Sequence, residues 1–320
     1  MLMAMGPILK VQTQRFNAGI DLLKILACFG VVLLHFGHDV KVATLSVPIF
    51  MFVSAYLCGR LFTEGTWREL FIRLRRLYVP FVVWGVSYWL MFCLFNRSFD
   101  IVVLIKQLAI GAPACPVLYF LFLLACYSIL LFYVGHMRRR FWTLPLVLVI
   151  CLALQYSGLN ATVFNRCSFD FRMVLGRFVE LLPPAVLGYA FYFIGKTRVT
   201  RGVSFVVAVV PIAVYSMSVR GVFAMVCDGF QYQGAPLLLG AAGVSVAFVS
   251  GLSAVKGAGF IHDIAQLTPG VYYVHLLVGK LVESAIGRHR GWLEAVIVFV
   301  VSALCAFVMK RIRYMEDIVK

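Results

Sequence analysis

Apolar runs long enough to cross a bilayer follow one another along almost the whole chain, a pattern that no water-soluble fold accommodates. They cover residues 18–38, 46–63, 77–95, 116–134, 141–157, 176–194, 202–218, 234–252, 268–286 and 293–309. Each has roughly the 17–25 residues that a helix rising 1.5 Å per residue needs to cross about 30 Å of hydrocarbon. Composition agrees. Of 320 residues 62% are hydrophobic and 13% charged, against about 25% charged in an ordinary soluble domain. The mean hydropathy is +0.96, so too little polar surface is left to cover a soluble protein of this size. The expected fold is all-α: one polytopic membrane bundle of about ten transmembrane helices, residues 1–320 forming a single domain. Ile101 to Gly111 is apolar but too short to cross, and reads as an interfacial or re-entrant piece.

The formal net charge of +16 does not point to nucleic acid, because the basic residues fall in short segments between apolar runs. With the N-terminus inside, the inner segments hold Lys10, Arg15, Arg60, Arg68, Arg73, Arg75, Arg76, Arg138, Arg139, Arg140, Lys196, Arg198, Arg201, Lys256, Lys310, Arg311, Arg313 and Lys320. That is about 18 basic residues against about nine outside, the asymmetry that sets orientation in membranes. Both termini, with short tails at 1–17 and 310–320, are therefore expected in the cytoplasm. The first run lacks a small-residue cleavage site of the kind that ends a secretory signal. The nine cysteines show no metal-ligand spacing. Cys115, Cys167 and Cys227 fall on the outer side of this topology, where a Cys167–Cys227 disulfide is compatible with the compartment.

Ionisable groups inside a span are expensive, which makes each a functional candidate. The first run is the densest, with Asp21, Lys24 and His35, and His38 and Asp39 at its outer end. Asp21 and Lys24, three apart, can pair on one helix face. Lys24 and His35, eleven apart, are separated by almost three full turns, so they point the same way with a rise of about 16 Å between them. A cation low in the membrane suits an anionic cofactor head, and a histidine high in it suits a base acting on an external substrate. The extended pantetheine arm of coenzyme A, about 15–20 Å long by standard bond lengths, would join the two. The same residues equally fit a structural Asp–Lys pair beneath a histidine that caps the helix end. Arg73, Arg75 and Arg76 fit a phosphate site or, alternatively, topology setting and contact with anionic lipid. Lys280 and Glu283, three apart, are expected to neutralise each other.

Four motifs in order give these residues a context. Asp21 and Lys24 stand ahead of His35. Val47 to Tyr56 reads Val-Pro-Ile-Phe-Met-Phe-Val-Ser-Ala-Tyr. Arg73 and Arg76 make a basic-x-x-basic motif before the third run, and Tyr272-Tyr273-Val274-His275 lies near the end. Together they resemble the acyltransferase-3 family of membrane O-acyltransferases over nearly the whole chain. Three departures stand out. Lys24 takes the place of the usual arginine and lacks its planar fork. Ala55 replaces the usual glycine and adds a methyl to a close helix contact. Pro116-Val117-Leu118-Tyr119-Phe120 stands where the family often has His-x-Trp-Phe.

The resemblance implies transfer of an acyl group, acetyl above all, from cytoplasmic acetyl-CoA to a hydroxyl of an external or lipid-linked glycan, in a bacterial inner membrane and in the service of polysaccharide modification. It assigns His35 as general base, with Asp21 and His275 beside it in the catalytic group. Lys24, Arg73, Arg76 and Arg75 would hold the donor phosphates. Tyr272 would contact the acceptor; Arg172, Arg177 and Glu180, which enter the sixth run from outside, are expected by that position to line the acceptor cleft. Acyl-CoA, the acceptor and membrane lipids are the expected partners; neither nucleic acid nor a metal is implied. The alternative reading is a transporter or flippase for a lipid-linked sugar, with the same charges lining its pathway.

Overall fold

The computed structural model describes residues 17–37, 41–111, 117–156, 169–194, 235–251, 258–287 and 291–312. Among them every regular element is a helix. In chain order these are α1 (Ala18–Phe36), a 3-10 turn (Lys41–Leu45), α2 (Ser46–Leu57), α3 (Gly59–Glu64), α4 (Trp67–Asn96), α5 (Ile101–Ile110), α6 (Tyr119–His136), α7 (Arg140–Tyr156), α8 (Phe169–Ile194), α9 (Ala235–Gly251), α10 (Ala258–Ala265), α11 (Thr268–Ile286) and α12 (Trp292–Arg311). Five are long and apolar enough to cross a membrane: α1, α4, α6, α8 within Val174–Phe193, and α12. The expected run at 202–218, with His38, Asp39, Cys115, Cys167 and Cys227, lies outside the described residues.

The all-α expectation holds, but three boundaries differ for physical reasons. The run 46–63 is two helices, because the chain breaks at Cys58 (φ −92°, ψ 3°). The twelve residues of α2 rise only about 18 Å, too little to cross by themselves. The run 77–95 begins ten residues earlier as α4, started by a reciprocal cap in which the Thr66 hydroxyl accepts from Glu69 N–H and the Glu69 carboxylate accepts from Thr66 N–H. The basic stretch at 68–76 is therefore helix, not an inner loop. Finally, α10 fills part of what reads in the sequence as a connection. The short piece at 101–111 does form a helix, α5, capped by Asp100 at its start and by Gly111 (φ 78°) at its end.

Packing places α1 at the centre. It contacts α2, α9, α10, α11 and α12, and its first turn is fixed by Asn17, whose side chain accepts from the N–H groups of Gly19 and Ile20 and donates to Val249 O at 2.9 Å. The most extensive pairing is α2 on α8, and it depends on Gly188. A Cβ there would meet Phe52 O at 2.1 Å, so only glycine lets the two backbones approach so closely. At the rim, α12 leaves Leu293, Val300, Leu304, Phe307 and Val308 exposed, a continuous apolar face that suits lipid rather than water.

Candidate functional site

One cavity of about 650 Å³ opens between α1, α2, α4, α6 and α11. Its polar end carries Lys24 from α1, Arg60 from α3, and Glu69, Arg73 and Arg76 from α4. Four cations against one carboxylate give this end an excess of positive charge, chemistry suited to an anionic group. Its walls are apolar, including Val53, Leu57, Ile72 and Leu124, and its far end is closed by Phe50, Phe120 and Tyr272. A charged mouth leading into an apolar slot matches a ligand with an anionic head and a thin, weakly polar arm.

The helical start of α4 decides which arginines reach the cavity. Arg73 and Arg76 are three apart and share the face that lines the cavity, whereas Arg75 is exposed on another face and does not line it. Arg73 is held in place: its Nε donates to Ser128 Oγ at 2.9 Å and its Nη2 to Ser54 Oγ at 3.0 Å, tying α4 to α6 and α2. Arg60 was counted in the sequence only as a topology charge; the break at Cys58 turns α3 so that it reaches the cavity.

Asp21 does pair with Lys24, at 3.2 Å, but the pair belongs to a longer chain of contacts. The second carboxylate oxygen of Asp21, itself buried, accepts from His262 Nδ1 at 2.9 Å. His262 Nε2 meets Gln266 Nε2 at 2.6 Å, and Gln266 Oε1 accepts from Lys310 Nζ. Because Lys310 can only donate, it fixes the Gln266 amide with its oxygen outward and its N–H₂ toward His262. The histidine then accepts at Nε2 and donates from Nδ1, which makes it the neutral tautomer. His262 and Gln266 escaped the sequence reading, which counted Lys310 only as a topology charge. The four-residue spacing of His262 and Gln266 on one helix face was the available signal, hidden in a segment too short to be taken for a span.

About three turns above Lys24, His35 meets His275 of α11 with ring centroids 5.3 Å apart. His275 is completely buried, while His35 is exposed. His275 Nδ1 lies 2.7 Å from Tyr272 O. A carbonyl only accepts, so Nδ1 carries the proton, and the neutral ring keeps a lone pair at Nε2. That Nε2 is buried and has no hydrogen-bond partner among the described residues. A Cβ at Gly279 would lie 1.9 Å from Phe36 Cζ; its absence lets the Phe36 ring sit edge-on against His275, 6.5 Å away, and seats α1 against α11 at this level.

Tyr272, expected at the acceptor, lines this cavity, its hydroxyl donating to Val117 O at 2.6 Å. Arg177 and Glu180 do not line it. Both are buried in α8, joined to each other at 2.7 Å, beside Tyr127, whose hydroxyl donates to Phe178 O. Arg172 lies near the start of α8, its side chain outside the described residues. Cys28, Cys58, Cys93, Cys126, Cys151 and Cys305 are free thiols.

Neither the curated proteins nor the solved structures provide a match to the chain. A family model described as an acyltransferase domain matches residues 17–311, nearly the full length and every element of the site above. On that match, the chain belongs to the acyltransferase-3 family and is a membrane acyltransferase.

Proposed function

We propose that this acyltransferase takes an acetyl group from cytoplasmic acetyl-CoA and transfers it to a hydroxyl of an external or lipid-linked glycan. The observation that carries the reading is the sharing of two helices by both ends of the site: α1 bears Lys24 at the cationic mouth and His35 at the histidine pair, and α11 bears Thr268 beneath and His275 above. The separation of about 16 Å along α1 equals the reach of a pantetheine arm. In this reading the protein spans a bacterial inner membrane about ten times with both termini inside, so the mouth faces the cytoplasmic donor.

Lys24, Arg60, Arg73 and Arg76 neutralise the donor phosphates, and the apolar slot receives the arm. The acceptor oxygen attacks the thioester carbonyl, a C–O bond forms and the C–S bond breaks. His35 takes the proton from the attacking hydroxyl and delivers it to the departing thiolate, so charge and atoms balance. His275, with a bare Nε2 and a ring in contact with His35, stabilises the imidazolium that forms in between. Asp21 holds Lys24 in register for the phosphates.

The test is titration of the purified protein in nanodiscs with acetyl-CoA and with dephosphorylated coenzyme A at several salt concentrations. Affinity should fall with salt and with loss of phosphate, and surface glycans from cells with and without the gene should differ by acetyl groups in mass spectra. Absence of saturable coenzyme A binding would remove the donor and move the chain to the lipid-linked-sugar transporter reading.

A further inference from the structure

The far end of the cavity is a collar of three aromatic rings, each from a different helix. Phe50 of α2 and Phe120 of α6 stand 6.0 Å apart between centroids, Phe50 and Tyr272 of α11 6.4 Å, and Phe120 and Tyr272 5.2 Å. A triangle with these sides has its centre roughly 3.4 Å from each centroid, no more than one carbon–carbon contact distance. The collar is therefore closed as it stands, and a ring must move for the arm or an acyl chain to pass. On its other side lies the histidine pair. Tyr272 touches His275 at 5.8 Å, and neither His35 nor His275 lines the cavity.

The three rings are not equivalent. Tyr272 is buried and pinned by its hydroxyl to Val117 O, which also braces the turn leading into Phe120. Phe120 is buried as well. Phe50 is only half-buried, and so is the member with room to swing. On the α11 side the space beyond the collar is short, because His275 is completely buried and Phe36 packs against its ring.

Resting on the proposed coenzyme A reading, we infer that the collar of Phe50, Phe120 and Tyr272 limits this acyltransferase to short acyl groups, acetyl and propionyl, and that Phe50 sets the limit. The sign of the effect makes the idea testable. An apolar slot without a stop would favour longer chains, since each buried methylene contributes about 0.8 kcal/mol. Two more methylenes would then tighten binding about fifteenfold from acetyl-CoA to butyryl-CoA. With the collar in place that gain vanishes or reverses. Phe50→Ala removes six ring carbons and opens a pocket for a longer chain.

Full-length protein in nanodiscs would be titrated with free coenzyme A and with its acetyl, butyryl and hexanoyl thioesters, for wild type, Phe50→Ala, Phe50→Leu and Phe120→Leu. The expected result is a wild type that binds butyryl-CoA no better than acetyl-CoA, and a Phe50→Ala ratio shifted at least tenfold toward butyryl-CoA. Phe50→Leu and Phe120→Leu should shift it the same way by less, and they carry the test if the alanine variant does not fold. Leu61→Ala, in the cavity wall away from the collar, should leave the ratio unmoved. A wild type that already prefers butyryl-CoA about fifteenfold, or collar variants with an unchanged ratio, would overturn the inference while leaving the donor site standing. Failure of free coenzyme A to bind would instead overturn the donor reading itself.

Discussion

Arg73 offers the sharpest separation between charge and geometry at the cationic mouth of the cavity, the proposed donor site. Arg73 and Arg76 both line the cavity, yet among the described residues only Arg73 is anchored, by Ser54 and Ser128. An anchored guanidinium is already ordered before any ligand arrives. Immobilising a long side chain on binding costs about 0.5–1.5 kcal/mol, which is roughly a two- to thirteenfold loss of affinity. Arg73→Lys keeps the charge, but one ammonium cannot donate along both directions of the lost fork. It should therefore weaken coenzyme A binding by about three- to tenfold. Arg76→Lys, with no such anchorage to lose, should change affinity by less than about twofold. The double variant Ser54→Ala/Ser128→Ala leaves Arg73 in place but frees it, and should reproduce most of the Arg73→Lys loss. Equilibrium titration in nanodiscs reads all three, with thermal unfolding alongside to register any loss of the α2–α4–α6 tie. Equal losses in Arg73→Lys and Arg76→Lys, or an unaffected double-serine variant, would refute the claim that preorganisation matters at this mouth.

Other outcomes follow from the same geometry. His35→Ala should lower acyl transfer by 10²–10⁴-fold, the usual worth of a general base, with normal membrane insertion; more than about a tenth of wild-type activity would exclude that role. His275→Asn can still donate to Tyr272 O but loses the ring and its free nitrogen, so kcat should fall well beyond any change in KM. Asp21→Asn breaks the charged contact to Lys24 and turns one side of the His262 network; hydrogen bonds to charged groups contribute about 1.5–3 kcal/mol, so both the melting temperature and donor affinity should drop. Reporter fusions after Arg140 and after Lys320 should report cytoplasm, and fusions near Asn160 and Arg288 the outside; Arg140 and Asn160 on one face would break the proposed topology.

Much of the helical framework was legible in the apolar runs. α1, α6, α9, α11 and α12 fall within a few residues of their runs, because hydrocarbon demands uninterrupted apolar helix and the composition obeys. The early start of α4 had a readable signal, the Thr-x-x-Glu spacing of Thr66 to Glu69, which apolarity alone overlooks since capping is polar chemistry at the membrane surface. The break at Cys58 had only a weak one, Gly59 just after it: glycine disfavours but does not forbid one helix over 46–63, and the packing of α2 and α3 against α8 and α6 divides it.

What the sequence determined by itself are relations within one helix. Asp21 with Lys24, Arg73 with Arg76, and Lys24 about 16 Å below His35 all follow from 3.6 residues per turn and 1.5 Å per residue, whatever the helix packs against. Relations between helices were decided only by the tertiary structure. Asp21 and His262 meet across 241 positions, His35 finds His275, and Arg177 and Glu180 turn to each other inside α8 rather than to the cavity. The cause is that side-chain packing between helices, set by glycines such as Gly188 and Gly279 that let neighbours close in, fixes rotation and depth, and one-dimensional hydrophobicity in a bilayer carries no record of either.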